Sequence, residues 1–320
     1  MKTKLTETKN VKHRRSGIAH LLSRLTCAGA VILICSSASA ENLFVSGNKP
    51  YNCHEGCGVI YRITWDGLQS IFESDLSDPL DVAFDGAGNL FVVDHQRGGL
   101  INAGAIYKIT PSGARTTFAS GLSYSSHLAT DRQGNVFVAD YDQGIIYKYK
   151  PTGSRGIFAS GLYHPAGLAF NGAGELFVVD NSAGNIYQGS IYRYKPDGSR
   201  VAVAVLDSRD RPADLAVDAI GNLFMADLGG NIYRYDLVGV LRPHGRTTFG
   251  TVPGVAQSLA FDSAGNLVVV DAGGVNGTGS VMPNAIYKFT PQGVRSMFAS
   301  GQATAESFAC VADQPMVCCQ

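Results

Sequence analysis

The chain has 320 residues, of which 26 are basic and 26 acidic, and 45% are hydrophobic. Its first 40 residues hold seven basic residues and one acidic residue, so residues 41–320 keep 19 basic and 25 acidic residues and a net charge of −6. This charge excludes an electrostatic surface for nucleic acid or for an anionic membrane, and 280 residues are enough for one large core.

Residues 1–40 have the order of a cleavable secretory signal. Basic residues come first, the apolar run Cys27–Cys35 follows, and small residues lead to Ala40. The apolar run is shorter than the roughly 20 residues that a membrane span needs. The sequence therefore predicts a signal peptide at residues 1–40, cleaved after Ala40, and a secreted or periplasmic chain with no membrane span.

After residue 40 the chain repeats one unit. The unit is clearest in GNLFVVD at Gly88–Asp94, and ENLFVS at Glu41–Ser46 is a degenerate copy. The terminal Asp residues of successive copies lie 40 to 47 positions apart, a period typical of propellers and solenoids. The other four copies are Gly134–Asp140, Gly174–Asp180, Gly221–Asp227 and Gly265–Asp271.

Each unit predicts four strands. A short apolar first strand such as Leu80–Asp85 leads through an Asp/Asn-Gly turn into the repeated second strand, and the third strand carries an Ile-Tyr motif in six copies. The sequence therefore predicts one domain at residues 41–320, an all-β six-bladed β-propeller with four antiparallel strands per blade. The N-terminal unit lacks a first strand, so we expect the C-terminal segment Ser307–Asp313 to pair beside Glu41–Ser46 and close the ring.

The connections of such a ring fall on two faces. Tight, similar turns follow the first and third strands on one side, which we call the turn face. Uneven connections follow the second and fourth strands on the other side, which we call the loop face. Because binding residues concentrate on loops held by a rigid scaffold, the sequence predicts a site on the loop face, at the mouth of the central channel.

Two kinds of polar residue are candidates for a site at the channel mouth. The Asp that ends each second strand occurs in nearly every unit, so we interpret it as an acceptor for backbone N–H groups in its own loop. The polar residues at the entrances of the first strands differ between units. In a propeller these strands line the channel, so this set is the candidate ligand-binding group: Asp81, His127, Asp214, Gln257 and Glu306.

Carboxylates with one histidine suit two kinds of chemistry. They hold Ca2+ or another divalent cation, or they act as acid and base, with His127 and Asp214 as the catalytic candidates. A polar, water-filled channel mouth without chemistry is the alternative.

Five cysteines follow residue 40, namely Cys53, Cys57, Cys310, Cys318 and Cys319. In an exported chain they predict two disulfides, Cys53–Cys57 and Cys310 with one of the two C-terminal cysteines, the first choice being Cys318. One cysteine is left over. Ligation of a metal by the CHEGC segment at Cys53–Cys57 is the alternative for the first pair.

The repeated pattern resembles NHL repeats and, more broadly, the SMP-30/gluconolactonase-like propellers. The residues that carry the resemblance are Pro165–Asp180 followed by Ile191–Tyr194. The resemblance implies a divalent metal held by Glu, Asn and Asp at the entrances of three first strands. Glu306 is the one residue of a ligand type among the equivalent positions, which are Leu80, Ser126, Ala166, Ala213, Gln257 and Glu306.

Two functions follow as expectations. The first is an exported, monomeric, non-catalytic propeller that binds a protein, a glycan or a small molecule through its loop face. The alternative is a metal-dependent lactone or ester hydrolase of the resembling class. In that case Glu306, Asp81, His127 and Asp214 serve as ligands or base.

Overall fold

The computed structural model describes residues 31–37, 40–48, 58–64, 69–95, 104–123, 125–181, 189–237, 245–275, 281–282, 284–300 and 310–311. These residues form six four-stranded antiparallel blades, and no helix occurs among them. The predicted six-bladed β-propeller is confirmed. Within this part of the chain, no helix is long and apolar enough to cross a membrane.

The first three blades follow the chain in order. Blade one holds β1 (Val31–Ser37), β2 (Ala40–Asn48), β3 (Gly58–Thr64) and β4 (Gln69–Leu76). Blade two holds β5 (Pro79–Phe84), β6 (Leu90–Asp94), β7 (Gly104–Ile109) and β8 (Arg115–Leu122). Blade three holds β9 (Ser125–Thr130), β10 (Val136–Asp140), β11 (Ile145–Tyr149) and β12 (Arg155–Ala159).

The last three blades have the same layout. Blade four holds β13 (Pro165–Phe170), β14 (Leu176–Asp180), β15 (Ser190–Tyr194) and β16 (Arg200–Val205). Blade five holds β17 (Pro212–Val217), β18 (Leu223–Asp227), β19 (Asn231–Tyr235) and β20 (Arg246–Thr251). Blade six holds β21 (Ala256–Phe261), β22 (Leu267–Asp271), β25 (Ala285–Phe289) and β26 (Arg295–Ser300), with the short ribbon β23 (Gly274–Val275) and β24 (Val281–Met282) inserted.

The turn between the first and second strands is built by its opening Asp. In blade two, Asp85 Oδ1 accepts hydrogen bonds from the N–H groups of Ala87 and Asn89, at 2.9 and 2.8 Å. Gly88 takes a φ of 78°, which glycine adopts without the penalty that a side chain would bring. Asp131 in blade three makes the same pair of bonds, so the repeated turn sequence fixes the hairpin register locally.

Aromatic residues fill the space between blades. Phe44 of β2 meets Phe84 of the next blade edge-to-face at 5.1 Å, and Phe137 of β10 meets Phe170 in the same way at 5.0 Å. The first and second strands are buried along almost their whole length because a neighbouring blade covers each side. This packing makes the channel-lining strands the most rigidly held part of the ring.

The prediction for ring closure is wrong in one respect. The strand that pairs antiparallel with β2 is β1, with a register that runs from Val31 opposite Ser46 to Ser37 opposite Ala40. Of the expected C-terminal strand, residues 310–311 form β27 (Cys310–Val311), which pairs in parallel with β5. A hairpin with the adjacent segment costs far less loop entropy than pairing with a strand some 260 residues away, and the apolar run at residues 31–34, three of which are β-branched, suits a strand.

The predicted cleavage position after Ala40 falls at the first residue of β2. Cleavage there would detach β1 from blade one. The signal peptide and its cleavage stay predictions.

Candidate functional site

A β-bulge marks the loop-face end of the first strand in blades two to six. In β5, for example, Pro79 pairs with Asp94 and Asp81 pairs with Val93, so Leu80 has no residue opposite it. Bulges re-aim side chains and are frequent beside binding sites. The first strands of blades two to six each have such a bulge, and the bulges contain these residues: Leu80, Ser126, Ala166, Ala213 and Gln257.

The residue after each bulge occupies an equivalent place on the wall of the channel. This set, which we call the inner ring, consists of Asp81, His127, Gly167, Asp214 and Ser258. Three of the five predicted ligand-binding residues belong to it. Of the other two, Gln257 is one of the bulge residues and is only 5% exposed, while Glu306 lies outside the described residues.

Asp81 joins two blades. Its Oδ1 accepts the N–H of Val82 at 2.6 Å, and its Oδ2 accepts the N–H of Leu128 in blade three, also at 2.6 Å. The side chain is 1% exposed. Desolvation raises the pKa of this carboxyl well above its usual range, and the charge of Asp214 adds to the shift.

Asp214 repeats this arrangement between blades five and six. Its Oδ1 accepts the N–H of Leu215 at 2.8 Å, and its Oδ2 accepts the N–H of Leu259 at 3.0 Å and the hydroxyl of Ser258 at 3.2 Å. The residue is fully buried. We call Asp81 and Asp214 the latches, because each carboxylate ties the inner strand of its own blade to the inner strand of the next.

His127 is the unusual member of the inner ring. It is 6% exposed, and neither ring nitrogen has a partner in hydrogen-bonding geometry among the described residues. Desolvation lowers the pKa of His127 to about 3, although the nearby backbone of Ala213 opposes the shift. The imidazole is therefore neutral at physiological pH, with one N–H donor and one acceptor.

Gly167, the next member of the ring, brings two inner strands close together. A Cβ at this position would come within 2.8 Å of Asp214 Cα, so only glycine allows blades four and five to pack as they do. His127 interacts with the backbone of Ala213, which lies two blades away in blade five.

The inner ring does not fit the metal that the resemblance implies. At the described equivalent positions stand Leu80, Ala166 and Ala213, which have no donor atoms, together with Ser126 and Gln257. The latch carboxylates already accept backbone N–H groups. No group of three or more His, Cys, Asp or Glu side chains within the described residues is placed to hold a metal ion. We therefore derive no chemistry through a cation.

The Asp at the end of the second strand in blades two to six accepts backbone N–H groups, as predicted, but the donors that the structure describes for Asp94 and Asp180 lie outside the loop that follows each of them. Asp94 accepts the N–H groups of Ser77 and Asp78, and Asp180 accepts those of Tyr163 and His164. These donors lie in the connection that enters the same blade. Asp140 instead accepts the N–H of Gln143 in the loop that follows it.

An aromatic group on the loop face was not predicted from the sequence. The rings of Tyr141 and His164 stack at 4.3 Å with an interplanar angle of 11°, and Tyr163 meets His164 edge-to-face at 4.5 Å. The available signal was an aromatic pair just before Pro165, where blade two has Ser77 and Asp78 and blade six has Gly254 and Val255.

The cysteine predictions fall mainly outside the described residues. Cys53, Cys57 and Cys318 are among those not described, and Cys310 is placed by its backbone pairing alone. Both disulfides stay predictions.

Replacing His127 with leucine is expected to make the fold less sensitive to acid. Below pH 6.5 the unfolded chain takes up a proton at this histidine, whereas the folded chain does so only near pH 3. The unfolded state thus binds more protons, and the free energy of unfolding falls by about 1 kcal/mol per pH unit on acidification through this residue. Urea denaturation at pH 6 and pH 5 measures the difference. Equal losses in the native chain and the variant would show that His127 is not buried as a neutral group.

No protein-family model matches the sequence, and no curated protein does. Solved structures do match. Virginiamycin B lyase from Staphylococcus aureus is 13% identical, with a TM-score of 0.58 over 84% of each chain. A gluconolactonase from Xanthomonas campestris is 18% identical, with a TM-score of 0.57 over 71% of this chain and 77% of that one. The PQQ-bound aldose sugar dehydrogenase from Streptomyces coelicolor is 15% identical, with a TM-score of 0.60 over 83% and 95%.

These similarities define the class of the protein at the level of fold. The chain is a six-bladed β-propeller, as the repeats indicated, and it shares this fold with a gluconolactonase. Its structural neighbours include enzymes of three kinds, a lyase, a lactonase and a dehydrogenase. At identities of 13–18% the shared fold does not carry any one of these activities over to this chain.

Proposed function

We propose that the chain binds a small, polar, uncharged molecule at the channel mouth, with His127 as the central recognition group. The observation that carries this proposal is the burial of His127 with neither ring nitrogen hydrogen-bonded within the described residues. Buried polar atoms normally have partners. The backbone of Ala213 is close enough to favour the protonated imidazole and so competes for one ring nitrogen. A ligand hydroxyl group, which both donates and accepts, serves the other nitrogen in either tautomer.

The charge of the site favours a neutral ligand. Burial keeps the His127 imidazole uncharged at neutral pH. Both oxygens of Asp81 accept backbone N–H groups, so this carboxyl is engaged within the fold and is not presented to a cation. The basic and apolar order of residues 1–40 supports export of this binding protein, and we propose that it acts as a monomer outside the cytoplasm.

The test is a thermal-shift screen of the purified chain with named neutral compounds: glucose, N-acetylglucosamine, glycerol, glucono-1,5-lactone and γ-butyrolactone. At about 100 times its Kd a ligand stabilises the folded state by about 2.7 kcal/mol, or roughly 5 °C in Tm for a chain of this size. We expect such a shift in the native chain and none in the His127→Ala variant. His95→Ala is the matched control, because His95 makes its backbone bond to Asp78 without its side chain. A shift that survives in His127→Ala, or no shift with any compound, contradicts the proposal.

A second candidate is lactone or ester hydrolysis, favoured by the fold shared with a gluconolactonase. In this case a water molecule attacks the carbonyl carbon while His127 takes its proton, and the ring-opened alkoxide is then protonated. A histidine with a pKa near 3 is a weak base, which is why binding is our first choice. Proton release from glucono-1,5-lactone, with and without added Ca2+, tests the candidate. We expect kcat/KM to fall about 100-fold in His127→Ala if it is correct.

A further inference from the structure

The aromatic group on the loop face lies between blades three and four. Tyr141 directly follows β10, and Tyr163 and His164 form the connection from β12 to β13. Two separate connections therefore bring three rings together. Tyr163 is 45% exposed, so one part of its ring is open to solvent.

Hydrogen bonds hold the three rings in place. Asp180 accepts the N–H of Tyr163 at 2.9 Å and the N–H of His164 at 2.8 Å. His164 Nδ1 lies 3.1 Å from the carbonyl oxygen of Tyr141, which fixes the stacked pair. The surface is thus preorganised, and a ligand that binds there orders few side chains.

The scaffold does not require aromatic residues at these places. The other blades make the same backbone bonds with different side chains. Ser77 and Asp78 donate their N–H groups to Asp94, and Gly254 and Val255 donate theirs to Asp271. Tyr141 directly follows the Asp that ends the second strand. In the other blades this position holds His95, Asn181, Leu228 and Ala272. Since the repeat works without them, the three rings have a role beyond the fold.

Polar groups border the rings. Two residues after Tyr141, the Gln143 amide donates to Ser123 Oγ at 3.1 Å, and its Oε1 accepts from the Tyr147 hydroxyl at 3.3 Å. Asp142 is exposed between them. An aromatic face beside amide, hydroxyl and carboxylate groups is complementary to a ring that has C–H groups on one side and hydroxyl groups at its edge.

We propose that Tyr141, Tyr163 and His164 form a glycan-binding platform, on which the apolar face of a pyranose stacks against the exposed tyrosine while Gln143 and Asp142 bind its hydroxyl groups. A sugar fits this patch better than a protein partner does, because three rings are far smaller than a stable protein interface. The platform is independent of His127, so it stands whether or not the channel binds a ligand.

Native gel electrophoresis through immobilised polysaccharide tests the platform, with soluble starch, hydroxyethyl cellulose, glycol chitin and galactomannan as probes. We expect at least one to retard the native chain. Tyr163→Ala should weaken the binding about tenfold, and Tyr163→Phe should keep most of it, since stacking needs the ring. His127→Ala should bind as the native chain does, which separates this site from the channel.

The matched control is Ile220→Ala, which removes a 74% exposed apolar side chain on the turn face. Tyr163→Ala keeps the backbone N–H that Asp180 accepts and loses the edge contact with His164, so its Tm should lie within about 3 °C of that of the control. The proposal is overturned if none of the four polysaccharides retards the native chain. It is equally overturned if Tyr163→Ala and Ile220→Ala bind alike.

Discussion

Replacing Asp214 with alanine is expected to lower the free energy of unfolding by about 4 kcal/mol. The N–H groups of Leu215 and Leu259 and the hydroxyl of Ser258 would lose their acceptor in a fully buried place. Each buried donor left without a partner costs about 1–3 kcal/mol. Chemical denaturation followed by circular dichroism measures the loss.

Asp236→Ala is the control for this prediction. That carboxylate is 58% exposed and pairs with Arg234 on the surface at 2.8 Å, so its removal should cost less than about 1 kcal/mol. Asp214→Asn should fall between the two, because its amide keeps one acceptor and presents N–H groups to a second donor. If Asp214→Ala were no less stable than Asp236→Ala, the latches would not hold the blades together.

Removing both ends of the chain is expected to abolish folding, although removal of either end alone is tolerated. In the full chain β1 fills the inner position beside β2. A chain that starts at Glu41 has no β1, and Ser307–Asp313 is then the segment whose sequence has the first-strand pattern. Residues 41–305 have neither segment, so Leu43 and Val45, which are at most 1% exposed, would face an open edge.

Four chains test this prediction: residues 1–320, 41–320, 1–305 and 41–305, all expressed without export. Circular dichroism and thermal unfolding should show a cooperative transition in the first three and none in the fourth. A cooperative transition in residues 41–305 at the Tm of 41–320 would show that the C-terminal segment does not replace β1.

The sequence allowed prediction of features that each blade makes for itself. The Asp85 turn closes over four residues, and the positive φ of Gly88 follows from its place in that turn. The same holds for the Asp that ends each second strand, because its presence in nearly every unit pointed to a structural role. Repetition was the source of these predictions.

Contacts between blades could not be predicted from the sequence. The bond from Asp81 to Leu128 joins residues 47 positions apart, and nothing in either strand shows that the carboxylate points along the ring rather than into the channel. The interaction of His127 with Ala213 joins residues two blades apart, and the aromatic platform depends on two connections meeting. The pairing of β1 was missed because its segment reads as a secretion signal.

The bulge at the entrance of each inner strand has a consequence for evolution and engineering. Regular pairing resumes within a residue or two of the bulge in each of blades two to six, so a substitution at the bulge leaves the register of the blade intact. A substitution at one of these places therefore needs no matching change in the residue opposite it. Burial still limits the size of the new side chain, because Leu80 and Ala166 belong to hydrophobic clusters. A designer who wants to alter the channel mouth can vary these places one at a time, within the volume that each offers.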